Sequence, residues 1–175
     1  MGAIKVGING FGRIGRSVFR ILAEREDLQV VAINDLYDNE QLAYLLKFDT
    51  VMGRFGRAVS TDATSMTVGE ERVAMTAERD PAQIPWKELG VRVVIESTGV
   101  FRHREKIAAH FEGGAEKVIL TVPPKDEIDA MVVLGVNEGD LKPEHRIVSN
   151  ASCTTNCLAP LAKVLDDAFG IREGF

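Results

Sequence analysis

Apolar and polar positions along the first fifty residues change period in an ordered way. Ile4, Val6 and Ile8 alternate with their neighbours, which predicts a half-buried strand. Glycines follow. Beyond them Ile14, Val18, Ile21 and Leu22 recur at helical spacing, with Arg16, Arg20 and Glu24 on the other side, so a helix burying the apolar set is expected. Gln29 to Ile33 is a second apolar run, rich in β-branched residues, that ends at Asn34-Asp35. A helix is expected to begin at Asp38 or Asn39, both good N-caps, and to carry Leu42, Leu45 and Leu46.

The middle of the chain has a different rhythm. Phe55 to Val59, Ser65 to Val68 and Arg72 to Met75 are short and interleaved with polar residues, with Gly69-Glu70-Glu71 as a turn. They predict a small antiparallel excursion at a sheet edge. Strand patterns resume at Val91 to Ile95, Val118 to Val122, Met131 to Val136 and Arg146 to Ser149. Glu105 to Phe111 fits a helix that stops at Gly113-Gly114. Strands alternating with helices imply parallel strands joined by crossovers. The expected class is α/β: a doubly wound, mostly parallel sheet of Rossmann type with the antiparallel excursion at one side. Cys153 to Phe169 adds a last helix with Leu158, Leu161, Val164, Leu165 and Phe169 on an apolar face and Pro160 inside it, where a kink is expected. Only five residues follow Gly170, with no closing element, so the pattern reads as the front part of a longer chain.

Composition narrows the function classes. The chain has 175 residues, 45% hydrophobic and 27% charged, enough for one domain with a sizeable core. Its net charge of -5 and lack of a basic run argue against nucleic acid as a partner. No stretch reaches the roughly 18 apolar residues of a membrane helix, and the N-terminal pattern, without a basic segment, apolar block and cleavage site, argues against export. Cys153 and Cys157 are the only cysteines, too few for a disulfide framework, so a reducing, cytoplasmic setting is expected.

Gly10-Phe11-Gly12-Arg13-Ile14-Gly15 matches G-x-G-x-x-G between an expected strand and an expected helix. In that context the glycines allow a tight turn, close approach of a pyrophosphate, and close packing of helix on strand. The helix N-terminus offers free N–H groups and partial positive charge to phosphates. Such a match alone also fits an ordinary glycine turn. Asp35, 20 residues after Gly15, adds a carboxylate where dinucleotide-binding domains hold the adenosine ribose. A carboxylate accepts from the 2′-OH and repels a 2′-phosphate, and Leu36 offers a phosphate nothing, so NAD is expected rather than NADP.

Ser149-Asn150-Ala151-Ser152-Cys153-Thr154-Thr155-Asn156-Cys157 lies between the last strand and the last helix, placing Cys153 in the first turn. Thiols have a reference pKa near 8.5, and helix N-termini lower it, which suits a nucleophile for a carbonyl. The Ser152 and Thr154 hydroxyls, with the N–H groups of that turn, suit a small oxyanion. Competing readings are a buried structural cysteine and a metal pair. Two cysteines four apart without a nearby His or acid make a poor zinc site, so no metal is expected. Cys157, one turn deeper, takes the buried role.

Together, Ile8-Asn9-Gly10-Phe11-Gly12-Arg13-Ile14-Gly15-Arg16, Asn34-Asp35, Glu96-Ser97-Thr98-Gly99-Val100-Phe101 and the Ser149 to Pro160 stretch closely resemble the phosphorylating glyceraldehyde-3-phosphate dehydrogenases, in order, over about the N-terminal half of such an enzyme. The resemblance implies residues 1–151 as a dinucleotide-binding domain and 152–175 as the start of a catalytic domain. It implies NAD as cofactor, glyceraldehyde 3-phosphate and inorganic phosphate as substrates, and a homotetramer. It places Asn9, Gly10, Phe11 and Gly12 in the cofactor turn, with Arg13 and Ile14 at the pyrophosphate and Asp35 at the ribose. Arg79 falls towards the adenine, and Thr98, Gly99 and Thr121 flank the nicotinamide end. Cys153 becomes the nucleophile, and Ser152 and Thr154 the contacts to substrate or phosphate. Thr121 stands where serine is more usual, and Pro123-Pro124-Lys125 departs from the usual small residues.

The general-base histidine of that family is expected just beyond Phe175. His103, His110 and His145 read instead as solvated surface residues. Two other readings stay open: an NAD-binding module without catalysis, and an erythrose-4-phosphate dehydrogenase, whose usual ribose residue is Glu rather than Asp.

Overall fold

In the computed structural model, which describes residues 2–174, the chain runs β1 (Ile4–Asn9), α1 (Arg13–Leu22), β2 (Leu28–Asn34), α2 (Asn39–Lys47), β3 (Phe48–Asp49), β4 (Gly53–Arg54), β5 (Val59–Thr61), β6 (Ser65–Val68) and β7 (Glu71–Thr76). Then come β8 (Val93–Glu96), α3 (Arg104–Glu112), β9 (Lys117–Leu120), β10 (Ala130–Met131), β11 (Ile147–Ser149) and α4 (Cys153–Phe169). Met1 and Phe175, the outer ends of the two expected domain segments, lie outside the described residues. Nine strands form one sheet in the order β10-β11-β9-β8-β1-β2-β7-β6-β5, and β3 pairs with β4 separately. From β10 to β7 all neighbours are parallel; β6 is antiparallel to β7 and to β5. The α/β class, the Rossmann-type sheet and the antiparallel excursion follow the sequence pattern.

Adjacent residues of a strand face opposite sides of the sheet. Ile8 enters one core cluster with Phe19 of α1 and Leu42 and Leu46 of α2. Gly7, its neighbour, faces Trp86, whose ring stands 2.6 Å from where a Cβ would be. Trp86 belongs to the second cluster, with Val94, Val118, Leu120 and Ile107 of α3. The sheet is therefore covered on both faces, as parallel sheets require.

Several expectations are corrected. In α1 the buried residues are Gly15, Phe19 and Arg20, while Ile14 and Ile21 are exposed. Contact between Gly15 and the Gly10 carbonyl fixes the rotation of the helix, and Phe19, one turn on, follows it inward. In α2, Leu42, Ala43 and Leu46 are buried and Leu45 is exposed. The expected strand at Phe55 to Val59 begins only at Val59, because Phe55 packs on the first core cluster as part of the preceding loop. Val91 precedes its strand and bonds back to the Trp86 carbonyl at 2.8 Å. The run Met131 to Val136 is mostly turn: Asn137 Oδ1 takes the Val133 N–H at 2.9 Å, and Val136 N–H bonds the Val133 carbonyl. α4 continues through Pro160 to Phe169 without a break in helix, and none of its residues is buried.

Candidate functional site

The sheet reverses direction at β1: the chain moves outward through β2 to one side and returns to β8 on the other. Ligands of open α/β sheets bind outside the carboxyl ends of the strands at such a switch point. A cleft of about 440 Å³ lies there, walled by the residues that follow four neighbouring strands. Asn9, Gly10 and Gly12 come from the end of β1, and Asn34, Asp35, Leu36 and Tyr37 from the end of β2. Glu78 and Arg79 follow β7, and Ser97, Thr98, Val100 and Phe101 follow β8. Three larger hollows, of about 760, 780 and 500 Å³, lie away from these strand ends, the first and third along α2 and the second at Asp129, and gather none of these residues.

Gly10 holds φ at +89°, and a Cβ there would stand 2.7 Å from the Thr98 backbone nitrogen. At Gly15 a Cβ would lie 2.1 Å from the Gly10 carbonyl oxygen. A Cβ on Gly12 would meet nothing within 4 Å, so its missing side chain opens the approach to the backbone. Ser97 Oγ locks the turn by donating to the Gly10 carbonyl at 2.6 Å.

Among the described residues α1 differs from the other helices at its N-terminus. Asp38 caps α2, Ser152 caps α4, and Asp126 accepts the first N–H of α3 at 2.7 Å. Gly12 offers α1 no side-chain cap, and no acid lies in its first turn. The first-turn N–H groups and the positive end of the helix dipole are thus left without a side-chain cap, a setting that suits an anion. A helix end of this kind suits a phosphate group, and Gly12 and Asp35 both line the cleft. Asp35 is held by both oxygens: Oδ2 accepts from Phe11 N–H at 2.6 Å and Oδ1 from Tyr37 N–H at 3.0 Å.

Six of the expected cofactor residues meet in the cleft: Asn9, Gly10, Gly12, Asp35, Arg79 and Thr98. Phe11 is fully buried, its ring edge-on to Phe19 at 5.6 Å, and its N–H is spent on Asp35. Arg13 and Ile14 stand exposed on α1 beside the cleft rather than in its wall, and Gly99 turns the chain with φ +73°. Thr121 follows β9 and points its hydroxyl at the Glu96 carbonyl, 3.3 Å away. The cleft also uses Ser97, Val100 and Phe101, from the 96–101 stretch that carries part of the family resemblance, and Tyr37, whose placement just after β2 is the signal that the sequence holds for it.

Cys153 is the first residue of α4 and is exposed. Ser152, its N-cap, accepts from Thr155 N–H at 3.0 Å and lies 2.9 Å from the Thr154 hydroxyl. Asn156 Nδ2 clasps the turn through the Asn150 and Ser152 carbonyls, at 2.7 and 2.9 Å. Ala151, buried, is the one non-glycine residue with positive φ among those described, at 57°. Cys153 does not line the cleft. Cys157, expected to be buried, is exposed, because nothing packs on that face of α4.

The histidine reading is also corrected at one position. His103 is half-exposed near Asp126, and His145 sits in a loop. His110 is completely buried, between Trp86 and Glu96. No helix of the described residues is long and apolar enough to cross a membrane.

A parallel sheet with an uncapped glycine turn and a carboxylate at its switch point defines a Rossmann-type, NAD-binding domain. Residues 4–104 match the family model "Glyceraldehyde 3-phosphate dehydrogenase, NAD binding domain", and residues 152–175 match that family's C-terminal domain. The chain belongs to the glyceraldehyde-3-phosphate dehydrogenase family. It is 53% identical over 173 residues to the glyceraldehyde-3-phosphate dehydrogenase of Geobacillus stearothermophilus, covering 98% of this chain and 51% of that protein. With that of Thermotoga maritima it shares 55% over 172 residues, 97% of this chain and 51% of the relative. With the cytosolic form of Trypanosoma brucei brucei it shares 53% over 171 residues, 98% and 51%. The chain spans about half the length of the curated relatives it matches.

Proposed function

We propose that this chain supplies the cofactor cleft and the nucleophile for NAD-dependent oxidative phosphorylation of glyceraldehyde 3-phosphate to 1,3-bisphosphoglycerate. The observation that carries this reading is Cys153, exposed at the first position of a helix, in a chain whose strand ends form a dinucleotide cleft. Residues 1–151 form the cofactor domain and 152–175 begin the catalytic one. Glyceraldehyde 3-phosphate and inorganic phosphate are the partners, in a cytoplasmic homotetramer.

In this reading the Cys153 Sγ anion attacks the aldehyde carbon, and a C–S bond replaces the carbonyl π bond to give a thiohemiacetal. Thr154 and the first-turn N–H groups of α4 face the oxygen that takes up charge. NAD, when bound, supplies the acceptor for the hydride that this carbon loses. The oxidised carbon remains on Cys153 as a thioester, so the energy of oxidation is retained in one bond. An oxygen of inorganic phosphate then attacks the thioester carbon; the C–S bond breaks, Sγ leaves as the thiolate, and the acyl phosphate is released. Asp35, Gly10 and Gly12 hold the cofactor, and Thr98 and Asn9 fix the cleft wall. Arg79 lies on the adenine side, and Thr121 and Gly99 shape the strand ends that flank the nicotinamide. His103 faces Asp126, His110 is held between Trp86 and Glu96, and His145 Nδ1 accepts from Lys142 N–H, so the proton acceptor for Cys153 is assigned to none of them.

NADH formation from glyceraldehyde 3-phosphate, NAD and phosphate tests the reading, with Cys153→Ser as the control. Turnover that disappears in the variant supports it. Turnover that persists removes Cys153 from the mechanism. NAD binding without any turnover favours the non-catalytic module.

A further inference from the structure

Glu96 is a carboxylate that the reaction above does not use, and it is completely buried at the end of β8. Its four lone-pair positions are all taken. Oε1 accepts from Thr98 N–H at 2.8 Å and from the Thr98 hydroxyl. Oε2 accepts from Asn9 Nδ2 at 2.6 Å and faces His110 Nε2 at 3.1 Å. The other ring nitrogen of His110, Nδ1, lies 3.1 Å from Trp86 Nε1. An indole N–H only donates, so Nδ1 accepts, and the ring proton sits on Nε2, where it donates to Glu96. Trp86 thereby sets the tautomer of His110, and His110 fills the last acceptor site of Glu96.

Two of the residues that Glu96 holds are in the wall of the cleft. Thr98 spends its hydroxyl proton on Glu96 and accepts from Val100 N–H at 3.1 Å, which curls the loop after β8. Asn9 spends its amide N–H on Glu96 and accepts through Oδ1 from Asn34 Nδ2 at 2.8 Å. Asn34 Oδ1 in turn accepts from Thr76 Oγ1 and from Glu78 N–H, both at 2.8 Å. A single chain of donors and acceptors therefore runs from Trp86, under the floor of the cleft, to the segment that carries Arg79. Buried networks of this kind are rigid only when every member is satisfied.

We propose that Glu96, set by His110, is a positioning residue that holds Thr98 and Asn9 in the geometry the cofactor binds. This rests on the NAD reading of the cleft. The charge matters as well as the shape. In Glu96→Gln one of the two oxygens becomes an NH2 group. Placed at Oε2 it meets the N–H of both Asn9 and His110; placed at Oε1 it meets the Thr98 N–H. His110 cannot answer by moving its proton to Nδ1, because Trp86 already points an N–H there. Either orientation leaves opposed donors, and the loop must shift to relieve them.

Calorimetric titration of the chain with NAD tests this, with circular dichroism as the check on folding. Glu96→Gln is expected to raise the NAD Kd at least about tenfold while the helix and strand content is kept. His110→Leu, which removes both hydrogen bonds, is expected to do the same. His110→Gln supplies an NH2 group to donate to Glu96 and a carbonyl to accept from Trp86, and is expected to return the Kd to within about twofold of the unaltered chain. Variants that all bind like the unaltered chain overturn the proposal. Equal weakening by His110→Leu and His110→Gln also overturns it, since packing rather than hydrogen bonding then decides. If Glu96→Gln does not fold, the two His110 variants decide between these outcomes. An unaltered chain that does not bind NAD overturns the cofactor reading itself, a different result from tight binding that ignores Glu96.

Discussion

The backbone N–H of Phe11 donates to Oδ2 of Asp35 at 2.6 Å, across the two strands whose ends form the cleft. The turn after β1 and the carboxylate after β2 are thereby fixed to each other before any ligand arrives. Phe11 cannot shift to lengthen the bond, because its ring is buried against Phe19.

A rigid carboxylate discriminates. Asp35 presents its remaining lone pairs to hydroxyl donors and repels a phosphate. NAD is expected to bind at least about tenfold more tightly than NADP, equivalent to roughly one charged hydrogen bond. Asp35→Ala should weaken NAD and bring the two affinities together. Equal titration curves for the two cofactors on the unaltered chain would defeat this reading.

Two glycines of the same turn are expected to fail differently. Gly15→Ala forces a Cβ to 2.1 Å from the Gly10 oxygen. Backbone on both sides cannot yield cheaply, and a loss of about 3 kcal/mol or more in a urea melt is expected. Gly12→Ala meets no protein atom within 4 Å, so its stability cost should be no more than the roughly 1 kcal/mol of a poorer N-cap. Its NAD affinity should nonetheless fall, since the new methyl occupies the phosphate approach. Unchanged affinity in Gly12→Ala would mean that the phosphates lie elsewhere.

Asp129 gives the fold a pH limit. Burial pushes its carboxyl up, but the N–H groups of Ile147 and Arg146 and the Arg104 guanidinium pull it further down, to about 2. The bonds are 2.9, 2.7 and 2.6 Å. Because the folded value lies below the unfolded value of about 3.9, this stabilisation is full above about pH 4 and is lost as the pH falls towards 2. It amounts to at most about 2 kcal/mol at neutral pH. Urea midpoints of Asp129→Asn should be lower at pH 7 and converge with those of the unaltered chain near pH 2. A constant gap across that range would refute the assignment.

Arg20 is a buried cation serving backbone acceptors. Its guanidinium donates to the carbonyls of Leu46, Met52 and Gly53 and lies 5.3 Å from the centre of the Phe55 ring. It binds the end of α2 to the β3–β4 hairpin. Arg20→Met keeps the bulk but leaves these acceptors without their donor, and should cost about 2–4 kcal/mol. Arg20→Lys should recover little, because an ammonium cannot reach three carbonyls in a planar fork. Thermal midpoints of the two variants, compared with that of the unaltered chain, give the measurement.

Arg20 also shows where the sequence ceases to be legible. Helical spacing puts it on the solvent side with Arg16 and Glu24, because periodicity assigns a charge to water by default. What reverses this is the β3–β4 hairpin, which comes about 30 residues later and whose strands are too short to leave a pattern. His110 escapes a sequence reading for the same reason. α3 carries charges at Arg104, Glu105, Lys106 and Glu112, while the partners of His110, Trp86 and Glu96, lie 24 and 14 residues away. The glycine turn and Asp35 are legible because their chemistry is local: a positive φ, a close approach and a carboxylate at a strand end each demand particular residues. The exposed placement of Cys157 is not legible, since burial depends on what packs against α4 and not on α4 itself.

The bare first turn of α1 makes the cofactor part of the protein's own architecture. Each of the other three helices begins on an acceptor that the chain provides, whereas this one begins on glycine and open space. Whatever anion settles there completes a helix as well as occupying a site. The amides of Arg13 and Ile14 are then the natural place for exchange with solvent to slow first as ligand is added. By mass action, cofactor at a hundred times its Kd adds about 2.7 kcal/mol to the stability of the whole domain. The stability of the domain thus follows the concentration of its cofactor.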